Sequence, residues 1–417
     1  MKILLNKTIF LLLLSSFFGC TPEVERSKEQ KWLEDINYYH DTLVEKHINL
    51  FHTLSEQTFN TDIDKLKAGI SELSESQIVM ELMRITRMVG DGHTGFSIMS
   101  QTHQHFPMRF KLFDGEVRVI KSTKEHQRYL KNKLVAIDDM PIQDILTKLT
   151  SIAQNVENEH SLKESLVFTL TQDEVLHGIS ITRKLGNAKF SFEDEEGQVN
   201  HLLISSVDMG SFIANTSYGI KAEKRFFDKS VTHSNRLFLS YDPDIETALL
   251  NFAEYGSIDE MTDFAAEVKG FLNEHRVRNL IIDMRANSGG SFFIGLYLIS
   301  ELLQVESLDW ERGIYTLIGN YTFSAGMSNA THFKQMMNAK LIGEPTGANP
   351  NGYQEIGRFQ LPNSQYSISY SKRYYRFQDI NTQGVLPDVT INTSWQDFKD
   401  GHDMPLEWVV KEINDRL

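Results

Sequence analysis

From Trp32 to about Val89 one face returns every three or four residues. It runs Leu43, His47 and Leu50-Phe51, then Ile63, Leu66, Ile70 and Leu73, then Ile78, Leu82, Ile85 and Met88. That period places one buried stripe on each helix, and its interruptions predict three helices. Gly90-Asp91-Gly92 ends the run, and His93-Thr94-Gly95 follows at once. Beyond residue 104 the rhythm shortens. Val117-Arg118-Val119-Ile120 and Leu134-Val135-Ala136-Ile137, bounded by Asp114-Gly115 and Asp138-Asp139, predict strands. A helix from about Ile142 to Ala153 and strands near 178–183, 188–193 and 200–206 complete a β-rich middle module. Residues 207–234 are mixed and polar.

From Arg236 onward apolar runs of two kinds alternate. Strands are expected at Leu237–Tyr241, Asn279–Met284, Ile314–Ile318 and Lys340–Gly343, with helices at Ile258–His275, Phe293–Leu303 and Ala325–Met337 between them. Strands near 357–361 and 366–370, a turn into Gly384–Val389 and a last helix near 405–416 finish the chain. Such alternation argues for an α/β fold, with a layered core joined by largely parallel crossovers. The divisions expected are a leader over 1–19, a tether over 20–30, a helical region over 31–103 that carries His93, a β-rich module over 104–206 and an α/β core over 207–417.

The leader changes the picture of where the protein works. Lys2 and Lys7 precede an apolar run from Thr8 to Phe18, too short for a spanning helix of roughly 20 residues and suited to a secretory signal. The run ends at Gly19-Cys20, and Cys20 is the only cysteine. A lone cysteine there looks like a bacterial lipobox. It predicts a lipid-anchored protein of the bacterial cell envelope, held to a membrane at Cys20 and facing the periplasm or the exterior. No cysteine is then left for a disulfide. The formal charge of −14 falls by two when Lys2 and Lys7 leave with the signal. An acidic chain without a dense basic run is a poor partner for nucleic acid.

Two segments carry chemistry. Asn279–Gly290 (N-L-I-I-D-M-R-A-N-S-G-G) reads as a buried strand running into a glycine turn, and Thr322–Met327 (T-F-S-A-G-M) puts Ser324 at the mouth of a strand-to-helix junction. Adjacent strands would set the two turns side by side. A hydroxyl would then face a turn with unoccupied backbone N–H groups, the layout acyl transfer needs. A serine at a helix start is more often only a cap, and two glycines after a strand are more often only a turn. It is their combination that points to a nucleophile.

The order D-M-R-A-N-S-G-G, T-F-S-A-G-M, L-I-G-E-P-T-G (341–347) and G-V-L-P-D-V (384–389) resembles the C-terminal processing (tail-specific) peptidases and the tricorn core. The D-G-H-T stretch (91–94) resembles the tricorn-like branch and the related retinoid-binding modules. The resemblance implies a ClpP/crotonase-like spiral α/β core, a nucleophile at Ser324, and an oxyanion hole from Gly290 and the Ala325 N–H. Lys133–Leu149 similarly resembles the end of a PDZ-type domain.

Tail-specific members take their base from a lysine in a G-K-G-x-x-Q context. Here Gly347–Glu355 holds no lysine, so the tricorn-like histidine is the expected base, at His93. Imidazole changes charge near neutral pH and suits that role. The tricorn-like pattern puts an acid before the G-V-x-P-D turn, and Asp379 is the only carboxylate in that stretch. It is the expected partner of His93, with Glu355 as the alternative and Asp388 pinning the turn. The serine that precedes the tricorn histidine is replaced by Gly92, which leaves a fourth role unfilled. His93, His103 and His105 lack the spacing of helical metal ligands and there is no H-E-x-x-H, so neither metal nor other cofactor is expected. A serine endopeptidase acting on peptides or protein C-terminal segments is the expectation. The alternatives are a catalytically inactive ligand- or peptide-binding lipoprotein on the same scaffold, and an esterase. Cleavage specificity and oligomeric state are not legible.

Overall fold

The computed structural model describes residues 26–220 and 229–416, so the expected signal over 1–19 and Cys20 lie outside the described residues. Three amphipathic helices come first, α1 (Lys28–Lys46), α2 (Glu56–Gly69) and α3 (Glu75–Arg87). Ser27, Ser55 and Ser74 cap them, each accepting from a backbone N–H of the first turn. After the glycine break come β1 (Gly95–Ser97), β2 (Gln104–His105), β3 (Met108–Phe113), β4 (Glu116–Ser122), β5 (Lys133–Ile137) and β6 (Met140–Pro141). Helices α4 (Ile142–Thr150), α5 (Glu159–Thr169) and α6 (Asp173–Gly178) intervene before β7 (Asn187–Glu193), β8 (Val199–Ser205), β9 (Val207–Asp208), α7 (Met209–Asn215) and β10 (Tyr218–Gly219). Strands β3 to β8, except for the helices between them, form an antiparallel sheet that β10 completes beside β4. With α4 packed beside β5, this sheet is compatible with a PDZ-like module.

The expected strand near 178–183 is absent. Its place is taken by the end of α6 and a turn, and helix α5 before it has no counterpart among the expected elements. The helix follows from Leu162, Leu166 and Leu170, four residues apart, and from Asn158, whose Oδ1 accepts from the N–H groups of His160 and Ser161 at 3.0 Å each. Helix α4 also stops at Thr150, short of Ala153.

The second half begins with β11 (Lys229–Thr232), β12 (Leu237–Asp242) and β13 (Thr247–Phe252), followed by α8 (Ile258–Glu274), β14 (Asn279–Asp283), α9 (Phe292–Leu302), β15 (Ile314–Ile318), α10 (Ala325–Met337) and β16 (Lys340–Gly343). A long hairpin of β17 (Asn351–Gln360) and β18 (Ser367–Arg376) precedes β19 (Val389–Thr390), α11 (Trp395–Asp400) and α12 (Met404–Asn414). The sheet order is β11-β12-β13-β14-β15-β16-β19, parallel from β13 to β19. Strand β13 has no counterpart among the expected strands, and the hairpin strands are longer than expected.

Leu280 and Ile282 face one core, against α8, α9 and α10, while Ile281 between them faces a second core with Val409, Val410 and Ile413 of α12. Burial on both faces explains why β14 is an unbroken apolar run. The N-terminal helices and the middle sheet share a third core, which also takes Leu361 and Ile368 from the hairpin. Strand β18 pairs with β1, Ser369 opposite Gly95, so the hairpin bridges the two halves directly beside His93. Among the described residues no helix is long and apolar enough to cross a membrane.

Candidate active site

Parallel register between β14 and β15 sets Asp283 opposite Leu317, so both strands deliver their following turns to the same edge of the sheet. The turns are then tied together. Phe323 N–H donates to the Asn287 carbonyl at 3.0 Å and Thr322 Oγ1 to the Met284 carbonyl at 3.0 Å. Fully buried Asn287 also accepts from Gly289 N–H at 3.0 Å, and its Nδ2 donates to the Phe252 carbonyl at 2.9 Å. Arg285 anchors the strand end by pairing with Asp283 and with Asp403, the residue that caps α12.

Ser324 sits at the head of α10 with φ 49° and ψ −124°, a backbone region that suits glycine rather than a substituted residue. Its side chain caps nothing. Gly289 has φ 116°, and a Cβ on it would stand 2.7 Å from Ser324 Cβ, so a side chain there would close the approach. Gly290 lies over the Tyr255 ring, where a Cβ would meet Cδ2 at 2.4 Å. The N–H groups of Gly290 and Ala325 donate to no described residue, and both residues line the same cleft as Ser324.

Across the cleft, His93 Nε2 lies 2.9 Å from Ser324 Oγ. The imidazole is 1% exposed and stacks on Phe323 with ring centroids 5.4 Å apart. Asp91 holds its loop. That buried carboxylate accepts from the His93 N–H at 3.0 Å, from the Thr94 N–H at 2.7 Å and from Ser371 Oγ at 2.7 Å, with His47 Nε2 at 2.9 Å. Burial alone would raise its pKa, but the hydrogen bonds from His47, Ser371 and Thr94 outweigh it and hold the carboxyl below its usual range.

The partner of His93 is not the expected one. Glu157 Oε1 lies 3.1 Å from His93 Nδ1, and Glu157 Oε2 accepts from the Asn349 N–H at 2.7 Å. The Glu157 side chain is 4% exposed. Asp379 is exposed, in the loop beyond β18, and makes no hydrogen bond or ion pair with His93. The hairpin runs on to Arg376, and Asn351 Nδ2 then ties the loop outward through the Gln378 carbonyl at 2.9 Å. Glu355 is no alternative either. It pairs with Lys372 at 2.8 Å and Arg373 at 3.0 Å, and the Lys372 ammonium, with Tyr375 and Arg373 adding, keeps its carboxyl low against the smaller effect of burial. Asp388 accepts from the Leu341 N–H at 2.9 Å, as a turn-pinning residue would.

Gly92 has a structural reason. A Cβ there would meet Phe323 Cζ at 2.5 Å and Glu157 Cγ at 2.6 Å, so no serine fits once Glu157 has come in. Asn349, which fixes Glu157, also accepts at Oδ1 from Asn158 Nδ2 and from the Gly384 N–H, both at 2.9 Å. The L-I-G-E-P-T-G and G-V-L-P-D-V stretches thus meet behind the acid, where Val385 N–H donates to Thr346 Oγ1 at 2.7 Å.

The cleft above Ser324 has a volume of about 1170 Å³. Exposed Phe293, Tyr321 and Ile356 stand on its walls, with Phe292 and Tyr375 deeper. Among the described residues no group of three or more His, Cys, Asp or Glu side chains is placed to hold a metal ion.

No protein-family model matches the sequence, and no curated protein matches it. Solved structures do share its fold. A serine-to-alanine mutant of CPAF aligns over 92% of this chain and 96% of its own, with a TM-score of 0.66 at 13% identity. Mature CPAF complexed with lactacystin aligns over 92% of this chain and 98% of its own, with a TM-score of 0.65 at 12% identity. The photosystem II D1 C-terminal processing protease covers 91% of this chain with a TM-score of 0.42 at 13% identity.

Proposed function

We propose that this protein is a serine endopeptidase that hydrolyses peptide bonds in peptides or protein C-terminal segments. The observation that carries the reading is the line Ser324 Oγ, His93, Glu157, with contacts of 2.9 Å and 3.1 Å on either side of a buried imidazole. Those partners fit the tautomer in which Nδ1–H donates to Glu157 and Nε2 accepts from the serine. The left-handed backbone at Ser324 costs about 1–3 kcal/mol, which a mere helix start or a binding wall would have no reason to retain.

Ser324 Oγ attacks the scissile carbonyl carbon while its proton passes to His93 Nε2, and Glu157 stabilises the imidazolium that results. The oxyanion lies between the N–H groups of Gly290 and Ala325, which have no competing acceptor among the described residues, and the α10 N-terminus adds to the favourable field. As the C–N bond breaks, the Nε2 proton goes to the departing amine. Water, deprotonated by the same nitrogen, then cleaves the acyl-enzyme ester and restores Ser324. The aromatic and aliphatic cleft walls favour extended, apolar segments of unfolded chain. CPAF, as a complex with lactacystin, shows that a protein of this fold takes a small ligand; here the ligand proposed is a peptide.

We further propose, from the Lys2–Cys20 segment, that the mature chain is anchored by lipid at Cys20 in the bacterial envelope. Mass spectrometry of the mature N-terminus would show acyl chains on Cys20, lost in Cys20→Ser. The catalytic reading is tested by digesting a broad peptide library with the full-length protein in detergent. Cleavage lost in Ser324→Ala and in His93→Ala, with folding retained, supports it. Cleavage that survives in His93→Ala removes that residue as the base, and no cleavage by the parent defeats the peptidase reading.

A further inference from the structure

Helix α5 does more than present Glu157. Counting along it, Ser161, Glu164, Ser165 and Phe168 recur at the three- and four-residue spacing of one face, and all four line the cleft that holds Ser324. Glu164 is the charged member of that face. It is partly buried and makes no hydrogen bond or ion pair with any described residue. The cleft's other carboxylate, Glu355, is fully paired within the hairpin.

Nearby charges do not supply a partner for Glu164. Lys111 lies over the Phe113 and Phe398 rings, 5.6 Å from each centroid, and Glu344 is engaged by Asn320 Nδ2 at 3.3 Å. Arg236 is tied to Glu254 and to the Ala253 carbonyl, and Arg109 sits over the Phe212 ring. Burial pushes the Glu164 carboxyl above its usual range, opposed by Lys111 and reinforced by Glu344. A carboxylate partly withdrawn from water, with Lys111 acting on it only from beyond ion-pair reach, is unfavourable, and a cation delivered by the substrate would relieve it.

We propose that Glu164 is a specificity-determining residue, which receives a lysine or arginine side chain of the bound peptide at one subsite of the cleft. The inference rests on this cleft being the peptide-binding site of the proposed peptidase. A site that leaves its own partly buried carboxylate without an ion-pair partner disfavours a peptide lacking the matching group, so selectivity arises from both attraction and penalty.

The test uses the full-length protein in detergent and a set of decapeptides that carry one lysine or one norleucine at each position. Product ends should show lysine enriched at one position relative to the cut. There the kcat/KM ratio of lysine to norleucine should drop about tenfold in Glu164→Gln. Glu164→Lys should reverse the preference toward a glutamate-bearing peptide, an inversion that a merely structural helix residue would not produce. Cleavage by the parent without a cationic preference, or a preference that survives in Glu164→Gln, overturns the proposal and leaves the nucleophile in place. If the parent cuts nothing, the peptidase reading falls, and affinity for the same peptides in Ser324→Ala decides Glu164. A lysine advantage that disappears in Ser324→Ala/Glu164→Gln supports it; equal affinity for lysine and norleucine peptides overturns it.

Discussion

The two sides of the cleft reach the same 2.9 Å contact by different means. On the Ser324 side, position is a backbone property. Parallel register aligns two strand ends, Asn287 clamps the turns, and Ser324 is held at a φ of 49°. On the His93 side, position is a property of buried side chains drawn from distant parts of the chain. Asp91 fixes the loop, and Glu157, itself held by Asn349, fixes the ring. The first arrangement places one atom and stores strain. The second sets a proton's direction and depends on charge.

The sharpest way to break that contrast is to change charge without shape on the His93 side. Glu157→Gln should lower kcat/KM by about 10³–10⁴-fold, because an amide can donate to Nδ1 and favours the wrong imidazole tautomer. Its unfolding midpoint should stay close to the parent's. Asp379→Asn, measured alongside, should leave kcat/KM within about twofold, since a surface substitution away from the site has little to act on. Equal losses in the two variants would mean that the carboxylate 3.1 Å from Nδ1 is not the one that matters.

That pair of substitutions also marks where the sequence could and could not be read. The Ser324 side was legible because its parts are contiguous: an apolar strand, a glycine turn, small residues at a helix start. Elements from Asn279 to Gly343 fall within a residue or two of their expected limits. His93 was legible only through its motif. Glu157 was not legible at all, because nothing local distinguishes an acid one residue before a helix cap. The cap itself was missed, since Asn158 pairs with Ser161 where a capping box more often has Glu or Gln. Asp379 stood in the stretch where the family pattern puts the acid, but the β17–β18 hairpin extends to Arg376 and carries it to the surface. Gly92 was the one local trace of the substitution, a missing side chain that makes room for Glu157.

A second test asks how far the His93 side depends on its buried acid for folding. Removing Asp91 in Asp91→Ala leaves His47, Ser371 and the His93 and Thr94 N–H groups without their acceptor, and should cost about 3–5 kcal/mol in denaturant unfolding. The pH dependence has a fixed sign. The folded pKa of Asp91 is depressed, so its contribution is complete above the ordinary carboxylate value near 4 and is lost as pH falls through the lower folded value. The gap between parent and Asp91→Ala should therefore narrow on acidification below about pH 4. A gap that stays constant down the acid limb would deny Asp91 its ionic role.

The smallest effect tests the Ser324 side by its sign. If strain holds the nucleophile, Ser324→Gly should abolish hydrolysis and yet raise stability by about 1 kcal/mol, the relief of left-handed backbone exceeding the lost hydrogen bond to His93. Ser55 supplies the control. It begins α2 at an ordinary φ of −75° and accepts from the Thr58 N–H at 3.0 Å, so Ser55→Gly should lose a few tenths of a kcal/mol. Opposite signs at two helix starts would separate a serine kept for its backbone's sake from one kept against it. A loss of stability in Ser324→Gly would mean that the turn carries no strain, and that Ser324, like His93, is placed by its side-chain contacts.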